Sequence, residues 1–138
     1  MRKTIPFLLA LSGCITTLEW KPVGLYGPRP TTRQIFEECA ALLRDKNFQL
    51  ETHDPKNFLL ITGWQEFRGT EGFREQVRIK LVPRGEMTEV HVMAVKNENL
   101  GRFNPVNPAA ASYGPNENHR MRESYFQLLI DQRLKGLR

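Results

Sequence analysis

The spacing of apolar residues changes near residue 48, and this change most constrains the fold. Before it, apolar side chains recur with the period of an amphipathic helix, at Ile35, Phe36, Cys39, Leu42 and Leu43. After it they alternate, which is typical of half-buried strands. The pattern therefore predicts a helix followed by a run of strands.

The first helix has a recognisable start. Thr31 and Gln34 have the spacing of a capping box, in which each side chain bonds the backbone N–H of the other residue. Cys39 lies in the middle of the apolar stripe, so we expect a small buried side chain with an inert thiol rather than a reactive or metal-binding one.

Four strands are predicted after the helix, over residues 48–52, 58–67, 73–81 and 88–95. Asp54-Pro55-Lys56-Asn57 suits a type I turn between the first two, and Pro83-Arg84-Gly85-Glu86 turns the chain between the last two. The second strand is apolar on both faces and suits a central position. The third alternates, with Phe73, Val77, Ile79 and Leu81 on one side and the polar or cationic residues Arg74, Gln76, Arg78 and Lys80 on the other.

The remaining residues predict a long loop and a second helix. Residues 97–116 are rich in proline and asparagine and have no periodicity, and loops of this length are usually functional or mobile. A helix is predicted over residues 117–134, with Met121, Tyr125, Leu128 and Leu129 on its inner face. The expected fold is α+β with two layers, in which a helix, a four-strand antiparallel meander and a helix place both helices on one sheet face.

The N-terminus has the layout of a secretory signal. Arg2 and Lys3 precede a short apolar stretch that ends at Leu11-Ser12-Gly13-Cys14. The stretch is too short to cross a bilayer, which needs about 20 residues. Leu11-Ser12-Gly13-Cys14 resembles the lipobox of bacterial lipoproteins, and the resemblance covers residues 1–14 only. The alternative is an ordinary cleaved signal with an incidental cysteine.

The resemblance implies that residues 1–13 are removed and that Cys14 becomes a lipid-modified N-terminus. Ile15 follows the cysteine, where an Asp usually retains such lipoproteins in the inner membrane, so the resemblance implies an outer-membrane anchor facing the periplasm. Residues 14–30, with three prolines and two glycines, are interpreted as the lipidated cysteine and a tether of up to roughly 50 Å. Because Trp20, Leu25 and Tyr26 are more apolar than a spacer requires, we expect part of the tether to dock on the domain. We expect residues 31–138 to form a single domain.

Charge bears on the choice of partner. Removing residues 1–13 takes away Arg2 and Lys3 but no acidic residue, which lowers the formal net charge from +5 to +3. A secreted envelope protein of this charge favours anionic lipid headgroups or an acidic protein over nucleic acid.

No catalytic constellation is apparent in the sequence. The three histidines lack the i, i+4 spacing of a helical metal site, and neither Ser112 nor Ser124 has the strand-turn-helix context of a nucleophile. We therefore expect no enzyme activity, no cofactor and no metal.

Three candidate interaction surfaces remain, and one of them is the tether of residues 14–30. The other two carry named candidate residues. One is the outer side of the third strand, with Arg74, Arg78 and Lys80 near Met93 and Val95; the alternative is that these cations merely cover the sheet or lie beneath the tether. The other is the long loop, with Arg102, Phe103 and Tyr113.

The predicted element order is similar to the helix-grip arrangement of some envelope lipoproteins, including accessory lipoproteins of the outer-membrane β-barrel assembly machinery. The similarity is one of topology and transfers no site residues. We expect a lipid-anchored accessory subunit that binds a protein of an envelope complex. The alternative is a carrier or sensor of a lipid or small apolar ligand, with a cavity between sheet and helices.

Overall fold

The computed structural model describes residues 17–66, 73–98 and 114–137, and within these ranges it contains two α-helices and seven β-strands. The helices are α1 (Thr32–Asp45) and α2 (Arg120–Lys135). The strands are β1 (Lys21–Tyr26), β2 (Leu50–Asp54), β3 (Leu59–Thr62), β4 (Gln65–Glu66), β5 (Phe73–Arg84), β6 (Met87–Glu98) and β7 (Glu117–Asn118). The predicted α+β class, an antiparallel sheet with two helices, is confirmed, but the sheet has more than the four predicted strands.

The strands form one antiparallel sheet in the order β1-β6-β5-β3-β2, with β4 pairing with β5 and β7 pairing with β6. The longest hairpin joins β5 and β6. Its turn contains Gly85 at a φ of +63°, a conformation that glycine adopts without steric cost. The hairpin register places Val77 opposite Ala94 and Ile79 opposite Val92, so these side chains share one face.

The predicted strand over residues 58–67 is interrupted. β3 ends at Thr62, and β4 begins at Gln65 after Gly63 and Trp64. Thr62 Oγ1 accepts a hydrogen bond from the backbone N of Val77 at 2.9 Å and donates to the Gly63 carbonyl at 2.9 Å. The Thr62 hydroxyl, and not a backbone carbonyl, thus accepts from Val77 N of β5. This interrupts the regular backbone hydrogen bonding between the two strands.

The tether prediction is wrong for residues 21–26, which form strand β1 at the edge of the sheet. β1 pairs with β6, with an irregularity in register between Pro22 and Gly24. Proline is tolerated on an edge strand because its missing N–H costs no ladder bond there. Tyr26 is buried, and its hydroxyl donates to Asp131 Oδ1 at 2.6 Å. The sheet therefore begins ten residues before the predicted domain boundary.

The predicted start and inner face of α1 are confirmed. Gln34 N donates to Thr31 Oγ1 at 3.3 Å, and Thr31 N donates to Gln34 Oε1 at 2.8 Å. The helix buries the five residues of the predicted stripe, together with Ala40. They join a single core with α2 and with the sheet face that carries Leu60, Val77, Ile79 and Val92, so both helices cover the same side of the sheet.

The predicted inner face of α2 is wrong. The helix begins at Arg120 because Glu117 and Asn118 pair with β6 as strand β7. Its buried residues are Glu123, Phe126, Ile130 and Leu134. Of the predicted inner residues, Met121 is 79% exposed, Leu128 is 56% exposed and Tyr125 is 37% exposed, while Leu129 packs partly buried against the core.

Glu123 explains why the buried face of α2 differs from the predicted one. It is fully buried, and its carboxylate accepts hydrogen bonds from Ala94 N at 3.1 Å, Asn118 Nδ2 at 2.6 Å and Arg120 Nη1 at 3.1 Å. A carboxylate with this many donors can lie in the interior. The stripe that faces the sheet therefore passes through an acidic residue, which an apolar pattern excludes.

Candidate functional site

The candidate site is the side of the sheet that faces away from the helices. Because side chains alternate along a strand, the neighbours of the core residues on β3, β5 and β6 point to this side. We call it the outer face, and it carries Leu59, Ile61, Arg74, Gln76, Arg78, Lys80, Met93 and Val95. The predicted cations Arg74, Arg78 and Lys80 therefore share one surface with Met93 and Val95.

Arg74 is held at one end of the outer face. Its guanidinium carbon lies 4.3 Å from the centre of the Trp64 ring, and its Nε donates to Asn97 Oδ1 at 2.8 Å. Stacking and a hydrogen bond together fix the orientation of this side chain. Nearby, Met93 and Val95 are buried, so at this end the apolar residues are covered.

Lys80 lies over an aromatic ring from the N-terminal part of the described chain. Its Nζ is 4.7 Å from the centre of the Trp20 ring. Trp20 precedes β1, so the segment assigned to the tether does cover part of the outer face. This was one of the alternatives that the sequence left open.

Arg78 lies between these two cations and is the most unusual residue of the site. It is half-buried, and burial lowers the pKa of its guanidinium below the usual value. Its Nε donates to a neutral partner, Gln76 Oε1, at 2.8 Å. Across residues 17–66, 73–98 and 114–137, no carboxylate lies within ion-pair distance of Arg78 or Lys80.

This arrangement favours binding of an anionic group. A partly desolvated guanidinium with a neutral partner has lost hydration without gaining an ion pair. Arg78 pairs across the sheet with Ile61 on β3 and Met93 on β6, so apolar residues flank it on both sides. Met93 is already buried, whereas Ile61 is partly exposed, so a partner could bring a carboxylate against Arg78 and an apolar group against Ile61.

By contrast, the other end of the outer face is internally paired. Glu89 accepts from His91 Nε2 at 2.6 Å, if that nitrogen carries the proton, and from Arg84 Nε at 3.0 Å. The hydrogen bond with His91 and that with Arg84 lower the pKa of the Glu89 carboxyl. Arg84 therefore differs from Arg78, since its charge already has a carboxylate partner.

The other predicted site residues fall outside the described residues. This holds for the loop residues Arg102, Phe103 and Tyr113, and for the lipidation residue Cys14. Asn97 and Glu98, which were assigned to the loop, belong to β6.

A polar cluster at the start of α2 was not predicted. Glu75 of β5 is fully buried, and Arg122 Nε lies 3.1 Å and His119 Nδ1 3.4 Å from its Oε2. Glu75 lies on the helix side of β5, so the cluster connects the sheet to α2. In the sequence, the one signal of this cluster was Glu75 itself, an acidic residue at a position of the third predicted strand where the alternation predicts an apolar one.

Two open grooves lie on the helix side of the molecule. The larger, about 680 Å³, is beside the start of α1 and is lined by residues that include Arg29, Arg33, Glu37 and Glu38. The smaller, about 380 Å³, runs between β1 and α2 and includes Val23 and Leu128. Charges of both signs line the larger groove, so it has no clear preference for an anion or a cation.

Metal ligands do not cluster in the described ranges, where no group of three or more His, Cys, Asp or Glu residues is placed to hold an ion. The same ranges contain no helix long and apolar enough to span a membrane.

A comparison with models of known protein families finds no match. A search of curated proteins finds no significant similarity.

Proposed function

We propose that this chain is a non-catalytic accessory subunit, anchored by a lipid on Cys14 to the periplasmic side of the outer membrane, that binds a protein of an envelope complex through its outer face. The single observation that supports this proposal is the environment of Arg78. This cation is partly desolvated, has a neutral partner and is flanked by Ile61 and Met93. Its surroundings suit an acidic, partly apolar protein surface.

The fold is compatible with this role. Strands β2, β3, β5 and β6, which lie within or overlap the four predicted strands, are neighbours in the sheet and follow one another along the chain, apart from the short β4. With both helices on the other face, this order supports the helix-grip-like arrangement expected from the sequence. Within the described ranges, no helix covers the outer face of the sheet.

The alternative function, a carrier of an apolar ligand, requires space between helices and sheet. That layer contains large side chains with no exposure, among them Phe36, Leu43, Phe126 and Ile130. Such a filled layer favours the binding subunit over the carrier.

The test compares variants of the mature lipoprotein in affinity purification from detergent-solubilised envelopes. The test variant combines Arg78→Ala with Lys80→Ala, and the matched control is Arg44→Ala, an exposed arginine in the last turn of α1. Truncation of a hot-spot residue costs ~2 kcal/mol or more, on the order of a 30-fold loss of affinity. We expect the test variant to lose proteins that wild type and control both recover.

Circular dichroism and thermal unfolding should show that the double variant remains folded. Recovery of the same proteins by all three forms would contradict the proposal for the outer face. Replacing residues 101–114 by a short Gly/Ser linker then tests the loop as the binding surface.

A further inference from the structure

The N-terminal segment is fixed to the start of α2 at Glu19. Its backbone N donates to Asn118 Oδ1 at 2.9 Å, and Asn118 Nδ2 donates back to the Glu19 carbonyl at 2.8 Å. The Glu19 carboxylate also lies 3.0 Å from Arg120 Nη2. These contacts join residues about 100 positions apart and hold the chain before β1 beside the first turn of α2.

This attachment limits the distance between the domain and a lipid on Cys14. Five residue steps separate Cys14 from Glu19, and a fully extended chain spans at most about 3.3 to 3.6 Å per residue. The lipid therefore lies within roughly 17 Å of the start of α2, instead of the roughly 50 Å that a tether to residue 30 allows. This step rests on the proposed acylation of Cys14.

The surface next to this attachment is apolar. Met121, in the first turn of α2, is 79% exposed, and Leu128, two turns later on the same side, is 56% exposed. Tyr125 lies between them and is also exposed. We call these three residues the α2 outer stripe, and the groove beside Leu128 continues toward Val23 of β1.

Cations flank the α2 outer stripe. Lys46 Nζ lies 5.9 Å and the Arg122 guanidinium 4.7 Å from the centre of the Tyr125 ring. The side chain of Arg120, adjacent to Met121, is 56% exposed, although its guanidinium also contacts Glu19 and Glu123, as Arg122 contacts Glu75. Among the described residues, Lys46 is the flanking cation with no carboxylate within ion-pair distance. An apolar stripe bordered by Lys and Arg is the composition of helices that lie in the interface of a bilayer with anionic lipids.

We infer that the α2 outer stripe rests on the same membrane that holds the lipid of Cys14, and that the surface it contacts contains anionic phospholipid. Three apolar side chains bind a bilayer weakly alone, but a short link to the anchor gives an effective concentration in the mM range. The α2 side of the domain then lies against the membrane, and the outer face of the sheet, on the side opposite the helices, points away from it.

The test measures depth with a fluorescent probe on the mature lipoprotein, reconstituted into vesicles of phosphatidylethanolamine and phosphatidylglycerol. An environment-sensitive fluorophore is attached through Met121→Cys and, as a matched control, through Arg84→Cys. Arg84 is exposed near the end of β5, and its position in the strand places it on the outer face, on the opposite side of the sheet from α2. Cys39 is buried, so labelling is confined to the introduced thiol.

We expect the Met121 probe to shift to shorter wavelength and to be quenched by nitroxide-labelled lipid, while the Arg84 probe remains unshifted and unquenched. Tyr125→Asp and Leu128→Asp should reduce quenching of the Met121 probe without releasing the protein from vesicles. Quenching of the Met121 probe should also be weaker on vesicles of phosphatidylcholine alone, because these lack anionic headgroups.

Equal behaviour of the two probes on vesicle-bound protein would overturn the inference. Shielding of the Met121 probe from an aqueous quencher, without quenching by nitroxide lipid, would mean that protein covers the stripe and would also overturn it. Failure of the unlabelled wild-type lipoprotein to float with vesicles would instead overturn the proposed anchor, and with it this inference.

Discussion

Cys39 lies in the interior of the helix layer, where its thiol has almost no contact with solvent. Burial raises the pKa of this thiol to about 12, although the nearby Arg133 acts in the opposite direction. The thiol therefore stays protonated at neutral pH, and the thiolate is the reactive form. The position predicted from the apolar stripe is confirmed.

Replacing Cys39 by Ser tests its role in packing. The change buries a hydroxyl among apolar side chains, and we expect the free energy of unfolding to fall by ~1 to 3 kcal/mol. Urea unfolding measures this loss, and Cys39→Ala is the control that shortens the side chain without adding a polar group. A Ser variant of unchanged stability that lost its envelope partner would point to thiol chemistry instead.

Glu89 makes stability depend on pH. Hydrogen bonds from His91 and Arg84 lower the pKa of its carboxyl in the folded state, so the unfolded chain binds the proton more readily. The stabilisation is present above the unfolded pKa of about 4.3 and is lost as the pH falls through the lower folded value.

We therefore expect wild type to be more stable than Glu89→Gln at pH 7, with the difference vanishing as the pH falls well below about 4. Urea midpoints measured across this range test it, with Glu86→Gln as an exposed glutamate control. A difference that stays constant with pH would mean that Glu89 contributes through packing and not through its charge.

At the scale of elements, α2 shows where sequence patterns stop being informative. Its predicted inner face used only apolar residues, whereas the observed one contains Glu123. The donors that allow this burial, Ala94 N and Asn118 Nδ2, belong to another strand and to a residue before the helix. No local pattern reveals such partners.

Two alanine substitutions on α2 distinguish the predicted face from the observed one. Phe126 is fully buried and Leu128 is 56% exposed. We expect Phe126→Ala to lower the free energy of unfolding by ~3 to 5 kcal/mol and Leu128→Ala to change it by less than ~0.5 kcal/mol. Chemical unfolding of both variants measures this, and similar losses would contradict the observed orientation of α2.

β1 was missed for a different reason. Three prolines and two glycines in residues 15–30 exclude a helix and a central strand, but an edge strand needs fewer ladder bonds. Tyr26 was the available signal, since a buried aromatic with its hydroxyl bonded to Asp131 belongs to the domain and not to a spacer.

For the whole molecule, local periodicity predicted the two-layer α+β class, the capping box of α1 and the alternation that places Arg74, Arg78 and Lys80 on one face. It did not predict how distant segments meet. Trp20 lies over Lys80, and Glu19 bonds to Asn118. Such contacts depend on the packed fold. The sequence left cover of the outer face by the tether open as an alternative, but it did not reveal the short reach from Cys14.

The two proposed surfaces are compatible on one molecule. The α2 outer stripe lies on the helix side, near the start of α2, whereas Arg78 lies on the opposite side of the sheet. A domain held to the membrane by its lipid and the stripe can therefore still present the outer face to a protein partner.

The proposed location and the membrane contact of the α2 outer stripe both require a lipid at Cys14, and the most direct test is the intact mass of the protein extracted from membranes. Loss of residues 1–13 together with the added mass of a diacylglycerol group and an acyl chain is the predicted result. A protein that retains residues 1–13, or one that is cleaved but carries an unmodified thiol at Cys14, would contradict it.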